Sequence, residues 1–205
     1  MFITRIEDGK NKKYRIYSEE GYLFSLYGKE IKRYHLAENK EIPDCIISSI
    51  MDEIIYKRGK ERALFLIERR PLTEFMLREK LKSNEYPDDI IDRVVAFLFR
   101  YHYLDDMEYI RMFVNSYSHK KSRKQIQYDL QKKGIQKQDI KQYFLQYPYS
   151  DEDSFQQLFQ RYIRNKNLEQ PKDRQKVFRY FYSKGYASSL IQSEIQKYEG
   201  NTYDI

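Results

Sequence analysis

Residues 122–144 read SRKQIQYDLQKKGIQKQDIKQYF, and their spacing decides the fold. Ser122 is followed by apolar residues four, eight, thirteen, eighteen and twenty-two positions on: Ile126, Leu130, Ile135, Ile140 and Phe144. A serine hydroxyl accepts a hydrogen bond from the free amides of a first helical turn, and Gln125 completes a capping box. Ile126 and Leu130 share one helical face, and Gly134 suits the left-handed conformation that ends a helix. The last three apolar residues stripe a second helix. The segment therefore predicts a helical hairpin.

The same template occurs twice more without a gap. Thr73, Leu77, Leu81, Tyr86, Ile91 and Val95 form one copy, and Asp173, Val177, Phe181, Tyr186, Ile191 and Ile195 form another. Thr73 and Asp173 are read as caps, Gly185 as the turn of the third copy and Asn84 as that of the first. A further helix precedes each hairpin, over 52–69, 106–118 and 155–164, so each unit has three helices in about 50 residues. Units this small bury little surface alone and stack on their neighbours. Residues 14–17 and 22–27, rich in Tyr, Ile, Leu and Phe around Ser18–Glu19–Glu20–Gly21, predict two strands and a turn, with a third strand over 3–6. The predicted fold is mainly α: three tandem three-helix repeats (46–104, 105–149 and 150–205) in an elongated, curved array, preceded by a small β-rich region over 1–45.

Composition agrees. Hydrophobic residues make up 40% of the 205, which excludes a disordered chain, and only 7 Gly and 5 Pro favour long regular elements. The longest apolar runs, 94–99 and 63–67, fall far short of the roughly 18 residues a membrane helix needs. Arg5 and Glu7 interrupt any signal-like start. One cysteine, Cys45, closes no internal disulfide, and His35, His102 and His119 supply few metal ligands. A reducing cytoplasm is the expected compartment. No phosphate loop, nucleophile elbow or metal spacing occurs, so no catalytic residue, cofactor or metal is expected. Asp105 and Asp106 beside His102 read as a helix start, with Asp105 as cap and Glu108 completing a capping box. Cys45 reads as a small packing residue. Phe97, Phe99, Tyr101, Phe113, Phe144, Phe155, Phe159, Phe178 and Phe181 lie at or near stripe positions and read as core.

Three segments resemble the RecX family of bacterial RecA regulators. His102, Tyr103, Leu104, Asp105 and Asp106, followed by Tyr109, Phe113 and Val114, are similar to that family's Gly-Tyr-Leu-Asp-Asp segment and its aromatic helix, with His102 in place of Gly. Ile126, Asp129, Leu130, Lys133, Gly134 and Ile135 are similar to its Ile-x-x-Glu-Leu-x-x-Lys-Gly-Ile. Arg70, Pro71, Thr73, Glu74, Leu77, Lys80 and Leu81 resemble its entry to the first hairpin. The resemblance implies a non-enzymatic modulator that binds the RecA filament on single-stranded DNA, in its groove or at its end. It implies inhibition of filament growth, ATP hydrolysis and strand exchange in recombination and DNA repair. Contact with single-stranded or duplex DNA would be weak or through the filament, and the chain itself monomeric.

The net charge is +7, and it is uneven. Residues 119–138 carry seven Lys or Arg against Asp129 alone, and residues 161–184 carry eight against Glu169 and Asp173. Between residues 85 and 109 seven acids face two arginines. At about 100° per residue, a helix that turns Ile126 and Leu130 inward sends Lys124, Tyr128 and Lys132 outward. The candidate surface is a basic track facing the RecA filament or DNA: Lys120, Lys121, Arg123, Lys124, Tyr128, Lys132, Lys133, Lys137, Arg161, Arg164, Lys172, Arg174 and Arg179. Cations neutralise phosphates or acidic side chains, and a tyrosine face can stack. The competing reading is an ordinary solvated helix face. An independent helix-turn-helix-like DNA-binding protein is the alternative function, and an RNA-handling or scaffold protein a third.

Overall fold

Segments rich in Ile, Leu, Phe and Tyr build a sheet at the start of the chain. The computed structural model describes residues 1–198, in two compact units that begin at Met1 and at Asp106. In the first, β1 (Phe2–Asp8), β2 (Lys13–Ser18), β3 (Gly21–Tyr27) and β4 (Lys40–Glu41) form an antiparallel sheet of order β3-β2-β1-β4. Ile6 lies opposite Ile16, and Ile16 opposite Phe24. The sheet is larger than the sequence predicts. β4 has only two residues, and α1 (Gly28–Arg33) is too short to show a stripe, so neither leaves a periodic signal.

A continuous helical rod follows: α2 (Asp44–Ser49), a π-helical stretch (Ile50–Tyr56) and α3 (Lys57–Arg69). It starts eight residues before the predicted position. The hairpin of α4 (Glu74–Ser83) and α5 (Asp88–Arg100) packs on it, and a Cβ on Gly59 would lie 3.1 Å from Val94, so α3 and α5 approach closely there. Sheet and first repeat share one core, in which Ile3, Ile16, Phe24 and Leu26 join Ile50, Leu77, Leu81 and Ile90. The second unit holds α6 (Asp106–Tyr117), α7 (Arg123–Lys132) and α8 (Lys137–Gln146), then α9 (Glu152–Ile163), α10 (Pro171–Ser183) and α11 (Ser188–Gln196). Each triplet has its own apolar cluster. All fifteen apolar template positions are buried. The fold is thus mainly helical, with three three-helix domains and a small N-terminal sheet.

Several local readings are corrected. Thr73 and Ser122 are N-caps whose hydroxyls accept from Met76 and Gln125 amides, but α10 begins at Pro171, which suits a first helical position. Asp173 lies inside that first turn and reaches back to the Asn167 amide at 3.1 Å. The Gln125 side chain donates forward to Asp129 at 3.1 Å, so it does not act as the predicted box partner. Glu85, not Asn84, takes the left-handed turn of the first hairpin, at φ 65°. Its counterparts Gly134 and Gly185 have φ 85° and 87°. Phe99 and Tyr101 are exposed rather than core, and Phe97 and Phe178 only partly buried, because the buried face of α5 runs through Ile91, Val94, Val95 and Leu98 and that of α10 through Val177 and Phe181. Cys45 is exposed in the first turn of α2 and packs nothing in the core.

Candidate functional site

The cap of α7 organises the basic region. Ser122 is buried, and its hydroxyl both accepts from the Gln125 amide at 3.2 Å and donates to the Lys184 carbonyl at 2.6 Å. The turn of the third hairpin is thereby fixed against the start of α7. A Cβ on Gly185 would meet Ser122 Oγ and Lys124 Cβ at 3.0 Å, so glycine is required there for close approach as well as for its positive φ. One further bond joins the two repeats, and two more hold the end of the second repeat onto the segment before α7. The Arg123 amide donates to Asp151 at 2.6 Å, and the Tyr149 hydroxyl reaches the carbonyls of Ser118 and Lys121 at 2.6 and 2.8 Å. Burial raises the Asp151 pKa, against the opposing pull of the Arg123 amide and charge. The Tyr186 hydroxyl, 3.2 Å from Ser154, is pushed up to about 12, chiefly by burial.

This junction leaves a cleft of about 260 Å³ lined by Lys120, Lys121, Gln125, Leu158, Tyr180 and Lys184, among others. Its lysines are not equivalent. Lys121 is spent on Asp129 at 2.6 Å and lies 4.3 Å from the Tyr117 ring centre. Lys120 and Lys184, and Lys124 beside Gly185, have no ion-pair partner among the described residues. Lys184 belongs to an aromatic ladder: its Nζ is 5.7 Å from the Tyr180 ring, Tyr180 stacks on Tyr162 at 4.0 Å and 8°, and Lys166 covers Tyr162 at 4.8 Å.

The remaining track residues are spread around the cleft. Lys124, Tyr128 and Lys132 are exposed along α7, with Lys132 over the Tyr128 ring at 4.6 Å, while Ile126 and Leu130 are fully buried. Arg123 lies over Phe144 at 4.8 Å and Lys133 over Phe113 at 5.6 Å, so both cover the core of their own repeat. Lys137, Arg161, Arg164 and Lys172 are exposed. Arg179 binds Gln175 of its own helix. Arg174 holds the loop before α10, donating to the Leu168 and Glu169 carbonyls at 3.0 and 2.9 Å, and it lines a separate recess with Phe178 and Gln192. Lys184 is absent from the track read in the sequence, although it occupies the template position of Lys133. Tyr162, Tyr180 and Lys166 are likewise visible only once α9 and α10 are side by side.

Comparison with known proteins identifies the architecture. Family models described as RecX, first, second and third three-helix domains match residues 60–98, 105–143 and 150–195. The regulatory protein RecX of Clostridium beijerinckii is 30% identical over 201 residues, covering 95% of this chain and 94% of the relative. The chain belongs to the RecX family. The regulatory protein RecX of Clostridium acetobutylicum is also 30% identical, over 197 residues and 92% of each chain. A crystal structure of regulatory protein RecX superposes with a TM-score of 0.62 at 24% identity, over 96% of this chain and 98% of that one. RecX from Lactobacillus salivarius superposes with a TM-score of 0.61 at 19% identity, over 70% of this chain and 96% of its own. The relatives are named for regulation, and a regulatory role follows for this member. Where the family segment has Gly, His102 stands at φ 57°, a conformation that favours glycine. Among the described residues no helix is long and apolar enough to cross a membrane, and no group of three or more His, Cys, Asp or Glu is placed to hold a metal.

Proposed function

We propose that this RecX-family chain binds the RecA filament on single-stranded DNA and inhibits its growth, ATPase and strand exchange, as a monomer in the cytoplasm and without catalysis of its own. The observation that supports this best is the convergence of Lys120, Lys124 and Lys184 from two repeats around one cleft, held by Ser122. Cations fixed on a rigid scaffold, beside stackable tyrosines, suit an anionic polymer. Tyr128, Lys132, Lys137, Arg161, Arg164, Lys172 and Arg179 would extend the contact, whereas Lys121, Arg123, Lys133 and Arg174 would mainly hold the scaffold.

RecA-dependent ATP hydrolysis on single-stranded DNA, titrated with this protein, tests the reading. Inhibition that saturates near or below stoichiometric amounts is expected. No effect at stoichiometric concentration, combined with salt-sensitive, specific binding to naked duplex, would favour an independent DNA-binding protein instead.

A further inference from the structure

Lys13 opens β2 and is 8% exposed. Its stem lies between two aromatic rings, with Nζ 5.7 Å from the centre of Tyr27 and 5.4 Å from that of Tyr86. Among the described residues Nζ has no hydrogen-bond acceptor and no carboxylate partner. The stem is buried, but Nζ itself stays open to solvent at a cavity wall, where it can meet an anion. Two arginines on successive turns of α3 face the same space. Arg58 lies over Tyr27 at 4.9 Å and spends one Nη on Glu30; Arg62 lies 5.4 Å from Phe65, and its buried Nε has no hydrogen-bond partner.

Lys13, Arg58 and Arg62 line one open cavity of about 490 Å³, together with Glu61, Phe65 and Asn84. Glu61 is exposed and free to swing outward. Glu30 already holds Arg58, and Glu85 already holds Arg15. The cavity therefore has a surplus of positive charge and unused N–H donors at its wall. Burial, more than the neighbouring Arg58, lowers the Lys13 pKa, while Glu85 and Glu30 oppose that fall and Arg62 adds to it.

We infer that this cavity is a binding site for a nucleotide-sized phosphate ester, the phosphoryl oxygens taken by Lys13, Arg58 and Arg62 and the organic part resting against Phe65. A phosphoryl group offers several oxygens to several cations at once, and guanidinium forks match that geometry. The volume exceeds what an inorganic phosphate fills and lies in the range of small-molecule sites. Strand residues Lys13 and Tyr27 and helix residues Arg58, Arg62 and Phe65 would all touch the ligand, so binding would clamp the sheet to the first repeat. The site shares no residue with the cleft of the second unit.

The test is equilibrium titration of the full chain with AMP, ATP, inorganic phosphate and a short oligothymidylate at constant ionic strength, with thermal melting in parallel. Saturable binding of AMP or ATP is expected, raising the melting temperature and weakening at least tenfold in Lys13→Met and in Arg62→Met. Lys13→Met retains the apolar stem and removes an unpartnered charge, so unliganded it should melt no lower than the parent. That keeps loss of binding distinct from loss of fold. Absence of saturable nucleotide binding, binding confined to the oligonucleotide, or unchanged nucleotide affinity in Lys13→Met would each overturn the inference.

Discussion

Glu85 and His102 are non-glycine residues in the left-handed region, at φ 65° and 57°, yet substitution by glycine should act in opposite directions. Left-handed backbone costs an ordinary residue about 1 kcal/mol relative to glycine. The exposed His102 side chain makes no hydrogen bond among the described residues, so only that strain is at stake. His102→Gly should stabilise the protein by about 0.5–1 kcal/mol in urea unfolding. Glu85 instead anchors the sheet: its carboxylate takes Arg15 Nε at 2.7 Å, the Lys10 amide at 3.2 Å and Ser25 Oγ at 3.2 Å. Its carbonyl accepts from the Tyr22 hydroxyl at 2.5 Å. Charged hydrogen bonds of this kind contribute about 1.5–3 kcal/mol each, so Glu85→Gly should destabilise by roughly 2 kcal/mol despite the relief of strain. Burial pushes the Glu85 pKa up, but the Arg15, Lys10 and Ser25 contacts outweigh it and the net shift is downward from 4.5. A lowered carboxylate pKa gives stability that is present above the unfolded value and lost as pH falls through the folded one. Acid unfolding of the parent, followed by circular dichroism, should therefore steepen below about pH 4.5, and Glu85→Gln should flatten that part of the curve. The turn was legible as glycine in the second and third hairpins. In the first it was hidden, because the reason for a glutamate lies in strands some 70 residues earlier in the chain.

The three hairpins show why some elements were easier to read than others. Their caps and stripes are local, so Thr73, Ser122 and fifteen apolar positions announced them without reference to the rest of the chain. The rod over 44–69 was read from residue 52 onward, without its first eight residues. Ile46, Ile47, Ile50, Met51, Ile54 and Ile55 recur in pairs every four residues, a spacing that suits a helix starting at Asp44, whereas the π-helical stretch of Ile50–Tyr56 leaves no periodic mark of its own. The candidate site was half legible for the same reason. Lysine enrichment is visible in sequence, but which lysines meet depends on Ser122 and Gly185 joining two repeats. Ser122→Ala removes a cap, worth about 1 kcal/mol, and leaves the Lys184 carbonyl without its hydroxyl donor, worth about another 1–2 kcal/mol. A loss of about 2–3 kcal/mol in urea unfolding is expected. Gly185→Ala should weaken RecA inhibition too, since a methyl 3.0 Å from Ser122 Oγ and Lys124 Cβ must push the lysines apart.

Across the whole molecule, charge separates the units. The second unit carries 18 of the 38 Lys and Arg but 12 of the 31 Asp and Glu, so it holds +6 of the net +7. A basic surface can act as a diffuse field or as a fixed set of contacts, and the two respond differently to charge reversal. A diffuse field depends on net charge and is screened over about 8–10 Å at ordinary salt, so any three reversed lysines on the exposed surface would weaken it comparably. Fixed contacts depend on which lysines are changed. The triple variant Lys120→Glu, Lys124→Glu, Lys184→Glu removes cations that have no ion-pair partner among the described residues, two of them lining the cleft and Lys124 beside Gly185. Lys29→Glu, Lys32→Glu, Lys57→Glu makes the same change in net charge on exposed positions of the first unit. If the cleft is the contact, the first triple should raise the concentration needed for half-inhibition of the RecA ATPase at least tenfold and flatten its salt dependence. The second should leave it within about twofold, because surface lysines away from a contact contribute little. Equal losses from both triples would show that net charge alone draws the protein to the filament.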